Sequence, residues 1–483
     1  MADVIQQAEE ADYKPATGGA FGKKAIGWGI FEFARNPYYN VVVISIFAPF
    51  FADRIVGDGA RGQSIVSFTI AAAGVVMAFC APVLGSMVDR GGYLKPPLML
   101  AVGGLALTTA CLWFVVPGAP GAIALGVFLM ATGYIIYSIL ELLHNAMLPM
   151  SGRPSSLPVI SGIGLAMGNF AGLCLVLAFT IVLASEAGPL VNIATDEAQN
   201  MRIIGPIVAL WFVVFVIPFF RLMPDITKTP DRSWRKAARA LLSGDDESAE
   251  RVNLFVKSYR YVAELFRLNP NVMRFLVGRM IYADGIGALL TLGSVYVVGF
   301  LGWSAQQIGI YNVVGGLCAV AGSLMAGIMD QRFGPKRSLI FELSVLITVL
   351  AFQLSITKDS LLFGLIPSAH IVWEGGLYPT LTDLVYFLLI LPAGLMLGAC
   401  ISSSRYMLLH IAPPKEIGRF FGFYAMAGSV TIWVAPLAVG LITTLTGDQR
   451  IGMSGLGLLF VVGLWIILGV KADRTPEHMK TGS

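Results

Sequence analysis

The segment GWGIFEFARNPYYNVVVISIFAPFF (residues 27–51) joins two opposite charges to one of the most apolar runs in the chain. Glu32 and Arg35 are three residues apart, so a helix would place them on one face. Charged side chains at membrane depth cost about 2.5–3.5 kcal/mol each on insertion scales, and they persist when they are paired or face water. The segment therefore predicts either a helix that ends early, or a charged pair buried inside a membrane protein for a purpose.

The whole chain has the composition of a membrane protein. Of its 483 residues, 56% are apolar and 13% are charged, whereas soluble domains are typically about 45–50% apolar and about 25% charged. A membrane-spanning helix takes roughly 20 apolar residues, and twelve blocks are long enough. The blocks lie near 27–52, 64–88, 96–116, 121–148, 157–185, 201–222, 271–300, 306–329, 338–357, 382–411, 418–445 and 452–470.

Lysine and arginine are distributed unevenly between the connections. If both termini are cytoplasmic, the inner segments hold 25 of the 33 basic residues, the outer loops hold five, and three lie within the blocks. This asymmetry follows the positive-inside rule, and the polar, acidic N-terminus does not resemble a signal peptide. We therefore predict a multi-pass protein of the bacterial cytoplasmic membrane with both termini inside. Its partners would be the lipid bilayer and no nucleic acid, because the net charge of +4 reflects topology.

The blocks fall into two sets of six. We predict an all-α membrane protein with an N-terminal six-helix bundle (27–222), a C-terminal six-helix bundle (271–470) and cytoplasmic tails (1–26 and 471–483). The segment between them, 223–270, repeats apolar residues at helical spacing among basic ones, which is typical of an amphipathic helix at a membrane surface. A linker is favoured for this segment, and a binding site for a partner protein remains open.

Each half contains a similar inner loop. GSMVDRGGYLKPP (85–97) and AGIMDQRFGPKRS (326–338) both have a small residue four before an aspartate, followed by basic residues and glycine. Glycine permits a sharp turn, and the aspartate can meet a helix N-terminus or an arginine of the facing bundle. Six-plus-six spans with matching inner loops are typical of secondary transporters. The predicted cytoplasmic gate consists of Asp89, Arg90, Asp330 and Arg332.

Ionisable residues within the blocks are concentrated on the first, fourth, seventh and tenth. These four are equivalent positions in a six-plus-six bundle and can line one central cavity. The residues are Glu32 and Arg35, Glu141 and His144, Arg279 and Asp284, and Arg405 and His410. Inter-helix salt bridges that merely close the cytoplasmic side are the alternative. Pairing of Arg279 with Glu32, and of Asp284 with Arg35, is open at this stage, and Glu342 is expected to reach the headgroups or the nearby basic loop.

Five motifs lie in residues 27–39, 144–149, 161–172, 275–290 and 403–428. Together they resemble the vacuole-effluxer-like branch of the major facilitator superfamily, which is named for a yeast vacuolar amino-acid exporter. GWGIFEFARNPYY resembles its first-span motif, HNAMLP (144–149) its Tyr-Asn-Ala-x-Leu-Pro, and SGIGLAMGNFAG (161–172) its fifth-span glycines. FLVGRMIYADGIGALL (275–290) and SSRYMLLHIAPPKEIGRFFGFYAMAG (403–428) resemble its seventh-span and tenth-to-eleventh-span motifs. The departures are Glu32 for Asp, Arg35 for Asn, His144 for Tyr and Ser429 for Lys. The glycines of 161–172 are expected to pack a neighbouring helix closely rather than to bind a nucleotide.

The resemblance implies a transporter of amino acids or small peptides, with efflux favoured, and the added arginine favours an anionic or zwitterionic ligand. An arginine fork suits a carboxylate, and a buried carboxyl can take up and release a proton. The proton-coupling candidates are Glu32, Glu141, His144 and Asp284. The substrate-binding candidates are Arg35, Asn36, Tyr39, Tyr137, Asn145, Arg279, Tyr282, Arg405 and Tyr406.

Three alternatives are open. A sodium-coupled symporter of the glycoside or sugar type shares the general plan, and a receptor or assembly factor that lost transport on the same fold differs in class. An enzyme is disfavoured, because the sequence has no metal-ligand cluster, nucleophile elbow or phosphate loop, and its outer loops are short. No cofactor or metal is expected, the coupling ion would be a proton or sodium, and a monomer is expected.

Overall fold

The structure of the protein is a computed structural model. It describes residues 22–89, 94–153, 156–184, 196–223, 266–368, 370–372, 374, 376–413, 420, 423–424 and 431–472. The predicted amphipathic segment and both tails lie almost wholly outside the described residues.

The described chain is nearly all helical. The helices of the first half are α1 (Lys23–Pro37), α2 (Gly59–Asp89), α3 (Lys95–Ala110), α4 (Ala122–Ala146), α5 (Leu157–Val182) and α6 (Ile204–Leu222). Those of the second half are α7 (Pro270–Leu301), α8 (Ala305–Phe333), α9 (Pro335–Ser355), α10 (Ile390–Ile411), α11 (Val434–Thr446) and α12 (Gln449–Leu468). Leu381–Leu388 is a short helix before α10, and β1 (Ser360–Leu361) pairs antiparallel with β2 (Ile366–Pro367), Ser360 facing Pro367.

Eleven helical segments of the described residues are long and apolar enough to cross a membrane. The exterior agrees, because large apolar side chains such as Phe79, Leu445 and Trp465 are mostly exposed on it, as lipid contact requires. The eleventh block contributes one continuous helix of 13 residues, α11, among the described residues, which is shorter than the predicted span. We call the side on which α1 begins and α12 ends the terminal face, and the other side the opposite face.

The first segment does not end early. Beyond Pro37 it continues as a π-helix over Tyr38–Ser45, a short α-helix over Phe47–Phe50 and a second π-helical turn over Phe51–Val56. Proline lacks the N–H that the regular α-helical ladder needs, and the chain after Pro37 continues with the wider i→i+5 hydrogen-bond pattern of a π-helix. Glu32 and Arg35 therefore lie inside a 34-residue span, in its part nearer the terminal face.

Glycines bring the helices of each half together. The Cβ that a side chain would add at Gly164, Gly168 or Gly172 would contact Trp28, Asn36 or Asn40 of the first segment. The predicted close packing of the fifth block is therefore confirmed. In the second half, α8 and α10 are in backbone contact, with Gly322 against the Leu395 carbonyl and Gly398 against the Ala319 carbonyl.

The two halves approach each other toward the opposite face. There Gly59 of α2 lies against Gly299 of α7, and Gly309 of α8 lies against Thr180 of α5. Nearer the middle, Gly74 of α2 faces Trp433, just before α11. Glycine backbones permit such close approach, so the halves are sealed against each other on this side.

Candidate ligand and proton site

Arg35 and Glu32 form a buried ion pair on α1. Nη2 of Arg35 donates to both carboxylate oxygens of Glu32, at 3.0 and 2.8 Å, and the two side chains are 4% and 7% exposed. Nη1 of Arg35 lies 3.6 Å from a carboxylate oxygen of Glu141 in α4, whose side chain is half exposed. Among the described residues, Nε and Nη1 of Arg35 have no hydrogen-bond partner. The guanidinium therefore has N–H donors that form no hydrogen bond with the described residues.

His144 of α4 is held between acceptors on both ring nitrogens. Nδ1 lies 3.1 Å from Oε1 of Glu32, and Nε2 lies 3.0 Å from the carbonyl oxygen of Trp28. A neutral imidazole carries one N–H, so satisfying both contacts requires one further proton, on the ring or on Glu32. The ring is fully buried and stacked between Trp28 and Phe31, at centroid distances of 4.4 and 4.3 Å.

Neutral polar and aromatic groups surround the pair. The guanidinium of Arg35 lies 4.5 Å from the ring centroid of Tyr137, which stacks in turn on Tyr39. Asn36 accepts from the Tyr137 hydroxyl at 3.5 Å and donates to Asn169 of α5 at 3.3 Å. Asn145, one turn beyond Glu141, is exposed. The structure thus brings most of the candidates on the first and fourth blocks together in one polar cluster.

The candidates of the second half make their contacts within that half. Arg279 donates to the Tyr424 carbonyl oxygen at 2.7 Å and stacks on the Tyr424 ring, while Asp284 accepts from the Ala435 N–H at 3.0 Å. Neither of the two cross-half pairings left open above is formed. Asp284 instead caps the start of α11, where a carboxylate is favoured by the helix dipole.

The other candidates on α7 and α10 occupy different surroundings. The hydroxyl of Tyr282 is buried and hydrogen-bonded to Ser404 at 2.6 Å. Arg405 is exposed and Tyr406 is partly buried. Oδ1 of Asp284 is buried without a hydrogen-bond partner among the described residues.

The predicted cytoplasmic gate stays a prediction, because part of it lies outside the described residues. Arg90 lies outside the described residues, and of Asp89 only its place at the end of α2 is described. Oδ1 of Asp330 lies 3.0 Å from Oγ of Ser403 in its own half, because the last turn of α8 packs on α10. Among the described residues, no hydrogen bond or ion pair joins Asp330 to the first half. Arg332 is exposed over the Phe333 ring. The expectation for Glu342 is wrong, since it is fully buried and its Oε1 lies 2.8 Å from Oγ of Ser403.

Sequence reasoning missed a hydrogen-bonded connection between the halves near the opposite face. Nε2 of Gln63 in α2 donates to Thr443 Oγ1 in α11 at 2.9 Å and to the Gln449 carbonyl oxygen at 3.1 Å. Nε2 of Gln449 donates back to Oε1 of Gln63 at 3.2 Å. We call these three residues the amide lock. The only sign of this connection in the sequence is a glutamine near the start of each of two apolar blocks. An uncharged amide there is a weaker indication of a contact than a buried charge.

Solved structures of similar fold place the molecule in a class. The D-xylose–proton symporter structure aligns with 94% of this chain and 97% of its own at a TM-score of 0.62 and 13% identity. A point mutant of the nucleoside transporter NupG aligns with 92% of this chain and 98% of its own at a TM-score of 0.60 and 12% identity. The fold is therefore that of the major facilitator transporters.

The sequence then gives the family. Residues 152–480 match the profile of the Vacuole effluxer Atg22 like family, so the chain belongs to that family. It is therefore an integral, multi-pass membrane transporter rather than an enzyme. The uncharacterized MFS-type transporter YxiO of Bacillus subtilis is 22% identical over 95% of this chain and 97% of its own length. Autophagy-related protein 22 of Cryptococcus neoformans is 24% identical over 65% of this chain, and the match spans 53% of that fungal protein.

Proposed function

We propose that the protein carries a small metabolite with a carboxylate group, an amino acid or a small peptide, across the membrane by alternating access. The observation that carries the proposal is Arg35, a buried guanidinium whose Nε and Nη1 lack hydrogen-bond partners among the described residues. A guanidinium presents planar pairs of donors that match a carboxylate. Because Glu32 occupies only Nη2, a ligand carboxylate has donors left to bind.

Protons are proposed as the coupling ion, and the contact of His144 with Glu32 supports this. That contact requires one proton more than a neutral imidazole supplies, and the proton lies beside Arg35. A proton on Glu32 removes the closer of the two counter-ions of Arg35, and a ligand carboxylate then takes its place. Proton and ligand therefore bind together. Asp284, whose Oδ1 is buried without a partner in the described chain, is the second proton candidate.

The remaining candidates are given supporting roles in this proposal. Tyr137 and Asn36 shape the wall beside Arg35, and Arg279 and Arg405 on the second half attract the anionic ligand as the halves rock. The division into bundles 27–222 and 271–470 supplies the two moving bodies. Termini on the cytoplasmic side are proposed from the distribution of basic residues, and a bacterial cytoplasmic membrane is proposed from the near full-length similarity to YxiO of Bacillus subtilis.

The test is transport into proteoliposomes under imposed gradients, together with thermal-shift screening of the purified protein against amino acids, peptides and sugars. We expect a carboxylate ligand to stabilise the protein and its accumulation to follow an imposed proton gradient. Arg35→Lys keeps the charge but loses the planar pair of donors. Because one bidentate contact is worth roughly 1–2 kcal/mol, this variant should need about a tenfold higher ligand concentration for the same thermal stabilisation. Arg54→Ala, an exposed arginine of the opposite face, is the matched control.

Three results would contradict parts of the proposal. Accumulation that follows a sodium gradient alone would replace the coupling ion. Ligand stabilisation that is unchanged in Arg35→Lys and Arg35→Ala would remove Arg35 from the site. An Asp284→Asn variant that keeps full cellular function, combined with loss of function on changing 223–270, would favour a receptor over a carrier.

A further inference from the structure

A second buried polar cluster lies in the other half of the molecule, away from Arg35. It joins three helices near the terminal face: Asp330 on the last turn of α8, Glu342 on α9 and Ser403 on α10. Their exposed fractions are 5%, 0% and 0%. Such deeply buried carboxyls are rare within a membrane and are costly as charges unless they are compensated.

Counting hydrogens at Ser403 shows that the cluster lacks one. Its Oγ lies 3.0 Å from Oδ1 of Asp330 and 2.8 Å from Oε1 of Glu342. A hydroxyl carries a single hydrogen, so it donates to only one of these two oxygens. The other contact is a hydrogen bond only if that carboxyl is protonated and donates to Oγ.

A second observation is independent of that count. Oε2 of Glu342 is buried and has no hydrogen-bond partner among the described residues. An ionised carboxylate has two strongly accepting oxygens, and leaving one unpaired in the interior is expensive. A proton on Oε1, donated to Ser403 Oγ, lowers this cost, because Oε2 is then the carbonyl oxygen of a neutral acid and carries no share of a full negative charge.

Cations do not compensate the two carboxyls in the described part of the chain. No ion pair there involves either of them; Lys336 donates to the Leu468 carbonyl oxygen, and Arg332 and Arg337 are exposed. On α10 the titratable neighbours are Cys400, which faces Glu342, and the exposed Arg405. The described part of α12 carries only Arg450, which binds the Leu354 carbonyl oxygen at the opposite face.

We propose that Asp330, Ser403 and Glu342 form a proton-binding site that holds one proton between two carboxyls. Two carboxyls that share one site do not both ionise readily, because like charges repel. The site belongs to the second half and is separate from the Glu32–His144 contact of the first half. It is therefore expected to bind its proton whether or not transport is driven by protons.

The test uses infrared spectroscopy of the purified full-length protein in water and in heavy water. A protonated carboxyl absorbs at a carbonyl frequency distinct from that of a carboxylate, and the absorption shifts on deuteration. The decisive variants are Glu342→Gln and Asp330→Asn, since each amide supplies through its NH₂ the hydrogen that the proton provided and is nearly isosteric. Each variant-minus-wild-type difference spectrum is expected to show loss of one protonated-carboxyl band, whereas Glu141→Gln in the other half should leave that band in place.

A second measurement keeps the proposal testable if one variant folds poorly. The proposed proton is bound more tightly by the folded state than by the unfolded chain. Its contribution to the free energy of unfolding is therefore present at low pH and is lost as the pH rises. The thermal midpoint of the wild type should therefore fall more between about pH 6 and about pH 9 than that of Glu342→Gln. The proposal is overturned if the band persists in both amide variants. It is also overturned if the band is absent from the wild type. In that case, magnesium or manganese that raises the wild-type midpoint but not that of Glu342→Gln would identify the cluster as a cation site instead.

Discussion

Replacing Gln63 by leucine should open the seal at the opposite face. The substitution removes the three hydrogen bonds of the amide lock, which have donor–acceptor distances of 2.9 to 3.2 Å. At a net contribution of about 1 kcal/mol each, the sealed state loses about 3 kcal/mol. The polar groups left behind regain water only when the halves separate, so the whole cost falls on the sealed state. The equilibrium should shift by roughly a hundredfold toward opening.

Ser67 supplies the reporter for this shift. It is fully buried one turn along α2 from Gln63 and faces Gly440 of α11, so it lies behind the lock. In a background without the five native cysteines, a cysteine at position 67 should react slowly with a membrane-impermeant maleimide. Gln63→Leu should accelerate this reaction strongly from the opposite face. Gln353→Leu is the matched control, because that buried glutamine bonds to Tyr311 within the same half. Equal labelling rates in both variants would refute the role given to the amide lock.

Two further predictions concern stability. Glu32→Gln leaves the buried guanidinium of Arg35 with only the half-exposed Glu141, 3.6 Å away, as a counter-ion, and should cost about 3 kcal/mol of unfolding free energy. Glu141→Gln removes that exposed partner and should cost at most about 1 kcal/mol. Chemical unfolding in detergent measures both, and equal losses would contradict the burial argument. Gly398→Ala places a methyl group against the Ala319 carbonyl oxygen and should lower the unfolding free energy by about 1–3 kcal/mol. Gly327→Ala is the control, because the added carbon has open space around it. This control should be neutral or slightly stabilising in the same unfolding measurement.

Hydropathy and charge were enough to predict the fold. Long apolar blocks have one outcome in a membrane, a helix, so the number and order of the spans could be read from the sequence, with α11 alone described as shorter than its block. Local spacing also identified the contact of Glu32 with Arg35, because both lie on one helix.

Partners on different helices could not be read in the same way. From the sequence, an arginine is a possible partner of Asp284, but in the structure its carboxylate accepts a hydrogen bond from the Ala435 N–H. The start of a helix within the membrane has unpaired N–H donors, which a carboxylate can bind. Glu342 was expected near basic residues on sequence proximity, whereas helix rotation turns it toward Ser403. Uncharged pairs such as Gln63 and Gln449 left little trace in the hydropathy pattern. Residue spacing shows which side chains share a face of one helix. It does not show how far each helix is rotated about its own axis, and this rotation decides which residues of neighbouring helices meet.

The backbone contact of α8 with α10 has a practical consequence. Gly322 and Gly398 leave no side-chain layer between the two helices, so one does not slide on the other without a clash. Spin labels placed on this helix pair should keep one separation throughout the cycle and serve as an internal ruler. Against that fixed length, any change measured from α10 to α4 is attributable to displacement of one half relative to the other.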